Sequence, residues 1–254
     1  MIELKNLSVR FDDQDVLTNI ALAIHPGESF GLVGPSGQGK TLILKLIAGL
    51  VEPTSGEVLI EGKTWGQRTE SEKLVLLKKM GMLFQKNALF DSLTCLENIG
   101  FALQENTTKT EKEIVEIGEY YLNAVGISHA RNLYPDEISG GMQKRLGIAR
   151  ALALEPQIVL YDDPTAGLDP ITSKKIIDLI ADLKKKNNAT IVVISNDMNR
   201  TYQISDKIGM VYNAGLILTG SVDETKKYPH PAVQQFIKGD VEGPLTNRRP
   251  VEEL

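Results

Sequence analysis

The sequence predicts an α/β fold: a sheet wound around a phosphate-binding loop, with antiparallel strands ahead of it and an all-helical insertion within it. Three observations predict this. Gly34, Pro35, Ser36, Gly37, Gln38, Gly39, Lys40 and Thr41 follow a short apolar stretch at 29–33 and precede helical apolar spacing over 42–48. That is the strand–loop–helix setting of a P-loop, G-x-x-x-x-G-K-[ST]. Further apolar runs at 157–162 and 190–195 alternate with helical patterns, the order expected of an α/β core. Between residue 86 and about 155 strand patterns vanish and only helical ones remain.

In order, residues 2–11 alternate as a strand closed by Phe11 and followed by the turn-forming Asp12 and Asp13. Ile20, Leu22 and Ile24 repeat the pattern before a His25-Pro26-Gly27 turn. Two such strands ahead of the P-loop strand are unusual for a plain doubly wound sheet. Gly49 suits a left-handed cap for the helix behind the loop. A strand at 57–60, a short amphipathic helix at 74–80 and a buried strand at 82–84 ending at Gln85 come next. Thr110 and Glu113 form a capping box opening a helix that stops at Gly126. Another helix starts near Ser139 and runs to Leu154. Asp169 caps a helix with Pro170 at its first position, and Lys184, Lys185 and Lys186 end it as a solvated, dipole-favoured terminus. A hairpin turns at Asn213, Ala214 and Gly215, and the polar tail after Gly239 is expected to lack regular structure.

The chemistry of the loop follows from its residues. Glycines let backbone N–H groups converge on a polyphosphate, and the helix N-terminus adds partial positive charge. Lys40 is placed to reach the β- and γ-phosphates, and the Thr41 hydroxyl to ligate Mg²⁺. A glycine-rich turn that merely contains a lysine is the alternative, and the flanking strand and helix weigh against it. Ile158 to Asp162 is an apolar strand delivering a carboxylate at its C-terminal end, where the Mg²⁺-holding aspartate of a P-loop protein sits. The chain is expected to bind a nucleoside triphosphate with Mg²⁺.

Bulk properties set limits. At 254 residues the chain can bury a large core, and a formal net charge of -5 argues against a dedicated nucleic-acid binder. No apolar run approaches the roughly 20 residues needed to span a bilayer. Met1-Ile2-Glu3-Leu4-Lys5 lacks the apolar region of a signal peptide. A single cysteine, Cys95, excludes an internal disulfide and fits a reducing compartment. A soluble, intracellular protein is expected.

At Ser139, Gly140, Gly141, Met142 and Gln143 the sequence resembles the signature motif of ATP-binding cassette (ABC) ATPases. The resemblance covers nearly the whole chain. It matches Phe11 to the aromatic that stacks on adenine, Gly34 to Thr41 to the Walker A loop, and Gln85 to the Q-loop glutamine. It matches Asp162 to the Walker B aspartate and Ala166-Gly167-Leu168-Asp169 to the D-loop. It implies an ABC-ATPase fold: a RecA-like core with an antiparallel β subdomain over 1–85 and 156–220, and a helical subdomain over 86–155. Residues 221–254 are then a C-terminal extension. It also implies a head-to-tail dimer, in which Ser139, Gly140, Gly141, Gln143 and Asp169 face the nucleotide of a second subunit. Gln85 is then expected to contact Mg²⁺ or water beside Thr41 and Asp162. A serine N-cap with flexible glycines is the plain alternative for the signature.

Two positions depart from the family pattern. Most members carry Glu after the Walker B aspartate, whereas this chain has Asp163, one methylene shorter. The histidine usual at the end of the next strand is Asn196, which donates a hydrogen bond but carries no charge. His25, His129 and His230 are read as turn or surface residues. Slow or partner-dependent hydrolysis is expected, unless the backbone shifts to accommodate the shorter groups.

Within the family, the stretches 82–85 with 88–90, 139–142 and 169–172, together with 233–237, Gly239, Gly243 and Pro244, resemble ATPases of MCE-type lipid transporters such as the Mla system. This implies a homodimer on the cytoplasmic face of the inner membrane beneath a permease, with an MCE-type partner beyond it. Ala88, Leu89, Phe90 and Leu93 offer either a groove for a permease helix or the core of the helical part. Residues 233–249 either reach the opposite subunit or fray. An importer of small polar solutes is the alternative function. A soluble ABC protein acting on ribosomes or DNA is disfavoured by one P-loop, no sustained heptads and the acidic balance.

Overall fold

The computed structural model describes residues 1–84 and 88–246. In chain order it begins with β1 (Ile2–Phe11), β2 (Gln14–Ile24), β3 (Ser29–Val33) and α1 (Lys40–Ile47). Then come β4 (Ser55–Ile60), β5 (Lys63–Thr64), α2 (Glu70–Lys78) and β6 (Met80–Leu83). The helical stretch holds α3 (Cys95–Asn106), α4 (Glu111–Ala124) and α5 (Gly140–Leu152). β7 (Ile158–Asp162), α6 (Pro170–Asn187), β8 (Thr190–Ile194) and α7 (Met198–Ile204) follow. β9 (Lys207–Tyr212), β10 (Gly215–Ser221), α8 (Val222–Lys227) and α9 (Pro231–Lys238) complete the order.

Among the described residues two sheets form. The first is antiparallel, in the order β2-β1-β4-β5. Its leading hairpin turns at Asp12 (φ 44) and Asp13 (φ 63), with Phe11 paired to Gln14. Two consecutive residues at positive φ give the turn whose twist matches the strands, and short polar side chains tolerate that backbone. The second sheet has the order β10-β9-β3-β8-β7-β6, parallel except for β10 at its edge. Its register pairs Leu32 with Ile194 and Asp162 with Ile194, so β3, β8 and β7 end together. The residues after those ends meet at one edge.

The central strands are apolar throughout because both faces are covered. Ile191 and Val193 of β8, with Val159 and Tyr161 of β7, join a core completed by α3, α4, α5 and α6. Val192 and Ile194, with Ile158 and Leu160, join a second core with α1 and the antiparallel sheet. Fully burying each Val, Leu or Ile contributes about 1.5–3 kcal/mol.

The elements follow the sequence reading with two corrections. The helix expected at 74–80 is α2, which starts behind a Thr69–Glu72 capping box, while Met80 already belongs to β6. It is not amphipathic: Leu76 is its buried residue, and Leu74, Val75 and Leu77 are exposed. The sequence reading also names no element between residue 220 and Gly239. α8 and α9 add to the molecule, and Ala232 and Val233 pack with Val33, Ile208 and Met210 in a third core. Residues 240–246 hold no helix or strand, as expected, but the buried Gln235 pins them. Its Oε1 accepts from Leu245 N–H at 2.7 Å, and its Nε2 donates to Asp240 O at 3.1 Å and Thr246 Oγ1 at 3.3 Å. No helix among the described residues is long and apolar enough to cross a membrane.

Candidate active site

The common edge of β3, β7 and β8 opens into a cavity of about 620 Å³. Phe11, Ser36, Gly37, Gly39, Lys40, Thr41, Asp162, Asp163 and Asn196 line it, as do Val16, Lys45, Val51 and Lys144. Ligands bind at such strand ends in open parallel sheets, because helix N-termini and loop N–H groups converge there.

The P-loop wraps the mouth of this cavity. Gly34 sits at φ +133, and a Cβ there would lie 2.4 Å from Val211 O. Gly39 caps α1 in the left-handed region at φ 90. The Lys40 ammonium donates to Gly34 O and Pro35 O, both at 2.7 Å, closing the loop on itself. Burial pushes the Lys40 ammonium down from its usual range, opposed by Asp162 and Asp163. Gln38 points away from the loop centre, its Oε1 accepting from Asn213 N–H at 3.2 Å.

Thr41 Oγ1 donates to Asp162 Oδ2 at 2.7 Å, joining the end of the loop to the end of β7. A hydroxyl and a carboxylate held together are hard oxygen donors of the kind Mg²⁺ takes alongside phosphate oxygens. Among the described residues no group of three or more His, Cys, Asp or Glu could hold a metal. The pair therefore fits an ion shared with a polyphosphate rather than an all-protein cage.

Asp163 follows in the left-handed region at φ 51, where Asp is among the tolerated residues. Its N–H donates to Ile194 O at 2.9 Å, and its carbonyl accepts from Lys144 Nζ at 3.0 Å. Burial raises the Asp163 carboxyl above the ordinary range; Lys144 opposes this, and Asp162 adds to it. Burial likewise lowers the Lys144 ammonium. Asn196 is exposed at the cavity rim just past β8. Phe11 is 50% exposed, and with Val16 and Val51 it gives the cavity an apolar wall.

The remaining expected residues lie elsewhere. Ser139 caps α5, its side chain accepting from Met142 N–H at 3.3 Å, and with Gly140 it is exposed outside the cavity. Gly141 is half-buried, and Gln143 donates to Pro135 O at 2.6 Å. Asp169 caps α6, its carboxylate accepting from Ile171 N–H at 3.0 Å and Thr172 N–H at 2.9 Å. Gln85 lies outside the described residues. The apolar group near residue 90 divides: Leu89 packs on the core, whereas Phe90 is exposed and meets Phe101 in a tilted ring contact at 4.8 Å. His25 lies in a turn, His129 in a short 3-10 turn, and His230 caps α9, all away from the cavity. Sequence reasoning missed Lys144, although its position five residues beyond Ser139 on one helix was legible.

A parallel sheet with a P-loop closed by its lysine and a threonine–aspartate pair at the end of β7 defines a P-loop nucleoside triphosphatase. The model of the ABC transporter family matches residues 17–166, and the chain belongs to that family. It is an ABC ATPase. It is 36% identical over 253 residues to the intermembrane phospholipid transport system ATP-binding protein MlaF of Haemophilus influenzae, spanning 100% of this chain and 96% of that protein. It is 37% identical to the "Probable ribonucleotide transport ATP-binding protein mkl" of Mycobacterium leprae, spanning 96% of this chain and 70% of that one. Among solved structures, the dimeric post-hydrolysis state of the ATP-binding cassette MJ0796 bound to ADP and Pi superposes with a TM-score of 0.81. That match has 31% identity and covers 87% of this chain and 99% of that chain.

Proposed function

We propose that the chain is the ATPase subunit of a phospholipid transporter, acting as a head-to-tail homodimer on the cytoplasmic face of a membrane beneath a permease and an MCE-type partner. The observation that carries this is the end-to-end correspondence with a phospholipid-transport ATPase, 96% of whose length is matched. The relative named for ribonucleotide transport is matched over 70% of its length and supports the family more than the cargo. No nucleic-acid partner is proposed. In this assignment the chain divides into a core over 1–85 and 156–220, a helical subdomain over 86–155, and an extension over 221–254.

In this reading Phe11 stacks on adenine, and Lys40 with the N–H groups of residues 34–41 holds the phosphates. Thr41 and Asp162, with Gln85, would hold Mg²⁺, which when bound would neutralise charge building on the phosphate oxygens. Asp163 orients the attacking water and takes its proton; Asn196 donates a neutral hydrogen bond toward the γ-phosphate. The half-site is incomplete in one chain. Ser139 and Gly140 face outward from the cavity, and a Cβ at Gly140 would meet nothing within 4 Å, which suits a partner's nucleotide. Gly141, Gln143 and Asp169 belong to the same face in this reading.

The test is purification of the tagged chain from membranes, with mass spectrometry of its protein and lipid partners. A multi-pass permease carrying phospholipid is the expected result. A permease with a soluble polar-solute-binding protein and no lipid overturns the cargo, and ribosomal proteins overturn transport altogether.

A further inference from the structure

We infer that Lys144 is a positioning residue for hydrolysis: from the signature helix α5 it clamps the loop that carries Asp163. The inference rests on the reading that the Asp163 carboxylate acts at the γ-phosphate.

The loop between β7 and α6 is tied to the sheet at its start, where Asp163 N–H donates to Ile194 O at 2.9 Å, and to α6 at its end, where Asp169 caps the helix. Its internal backbone bonds are local turns, Ala166 N–H to Asp163 O at 3.3 Å and Leu168 N–H to Thr165 O at 3.2 Å. It also contains two residues in the left-handed region, Asp163 and Gly167. Side chains supply much of its anchorage. Arg200 Nη1 donates to Thr165 O at 2.8 Å, while Lys144 Nζ donates to Asp163 O and Ala166 O, both at 3.0 Å. The lysine thus joins the two ends of the first turn, and one of its two acceptors belongs to Asp163 itself.

Lys144 also lines the cavity, so a direct phosphate contact is the competing role. An ammonium has three donors, and two are committed to carbonyls. The clamp therefore accounts for most of its bonding capacity. Its place on α5 gives the clamp a second property. Ser139 starts the helix, and Lys144 lies five residues on, about 7.5 Å along one rigid rod. Any displacement of the outward-facing signature end therefore reaches the Asp163 carbonyl through a single side chain.

The measurement is steady-state ATP hydrolysis by the full-length protein over a range of ATP concentrations, giving kcat and KM separately, with binding of a fluorescent ATP analogue alongside. Lys144→Met keeps an unbranched side chain one atom shorter and removes the donors. It should lower kcat about tenfold or more while KM and analogue affinity stay within about threefold, since ångström-scale misplacement is costly to the chemical step. Lys144→Arg, which can reach both carbonyls, should recover kcat to within about threefold of the parent. Lys144→Gln serves as a second variant should the Met variant not fold, and the same kcat loss is expected. An unchanged kcat in Lys144→Met, an Arg variant as slow as the Met one, or a loss confined to KM and affinity overturns the clamp. Asp163→Asn separates the two layers. If it hydrolyses ATP at the parent rate, the Asp163 reading itself fails; if it is inactive while Lys144→Met is fully active, the clamp alone fails.

Discussion

Restoring the longer carboxylate and the histidine tests the account of hydrolysis most directly. Asp163 is one C–C bond shorter than Glu, so its carboxylate is withdrawn by about 1.5 Å. A backbone shift could in principle make up that distance, but both backbone groups of Asp163 are tied. The N–H is bonded to Ile194 O at 2.9 Å, and the carbonyl to Lys144 at 3.0 Å. In the proposed role of Asp163 the shortfall falls on the group that orients the water, and an error on the order of 1 Å can cost ~10²-fold in rate. Asp163→Glu combined with Asn196→His should raise kcat by up to about 10²-fold, measured as phosphate release at saturating Mg·ATP. It should also lower stability by about 1 kcal/mol, because residue 163 sits at φ 51, where Glu is less tolerated than Asp. A double variant that binds ATP normally yet hydrolyses it no faster than the parent refutes the reasoning.

Other expectations follow from groups already described. Burial raises the Asp163 carboxyl, so its charged form is disfavoured in the folded state and stability is lost as pH rises through its elevated value. Asp163→Asn should therefore melt higher than the parent at neutral pH, with the gap closing below the ordinary carboxylate range, while hydrolysis falls by roughly 10²-fold or more. Equal melting at neutral pH would argue against the burial cost. Tyr161 is fully buried, and its hydroxyl has no partner among the described residues, so Tyr161→Phe should stabilise the fold by about 1 kcal/mol, read as a higher urea midpoint. Gln235→Ala removes the three bonds that hold residues 240–246. Limited proteolysis with mass spectrometry should then show cleavage in that stretch well before the parent is cut there, with the rest of the chain intact.

Much of the site was legible because its residues are close in sequence or sit at strand ends. Gly34 to Thr41 form one loop, and Asp162 and Asn196 end or follow apolar runs whose buried character is evident in the chain itself. What sequence does not carry is which way a side chain turns. Asp169 and Ser139 use their oxygens to cap their own helices, and Gln143 bonds Pro135, so motif membership says little about their free geometry. Lys144 was missed for a related reason: on a helix with buried Leu146 and Ile148, a lysine reads as surface until the packing turns it inward. The boundaries of α2, and the existence of α8 and α9, depended on caps at Thr69, Ser221 and His230, whose signals lie before the apolar residues that draw the eye.

The shared ending of β3, β8 and β7 limits how this enzyme can be retuned. Successive residues of β7 and β8 are embedded in opposite cores, so sliding either strand by one position would exchange its contents between two differently shaped interiors. The line on which Asp162, Asp163 and Asn196 are set out is in effect a fixed ruler. Turnover can be adjusted along it only by the reach and charge of the side chains mounted there, and a one-methylene change at position 163 is the finest graduation that ruler offers.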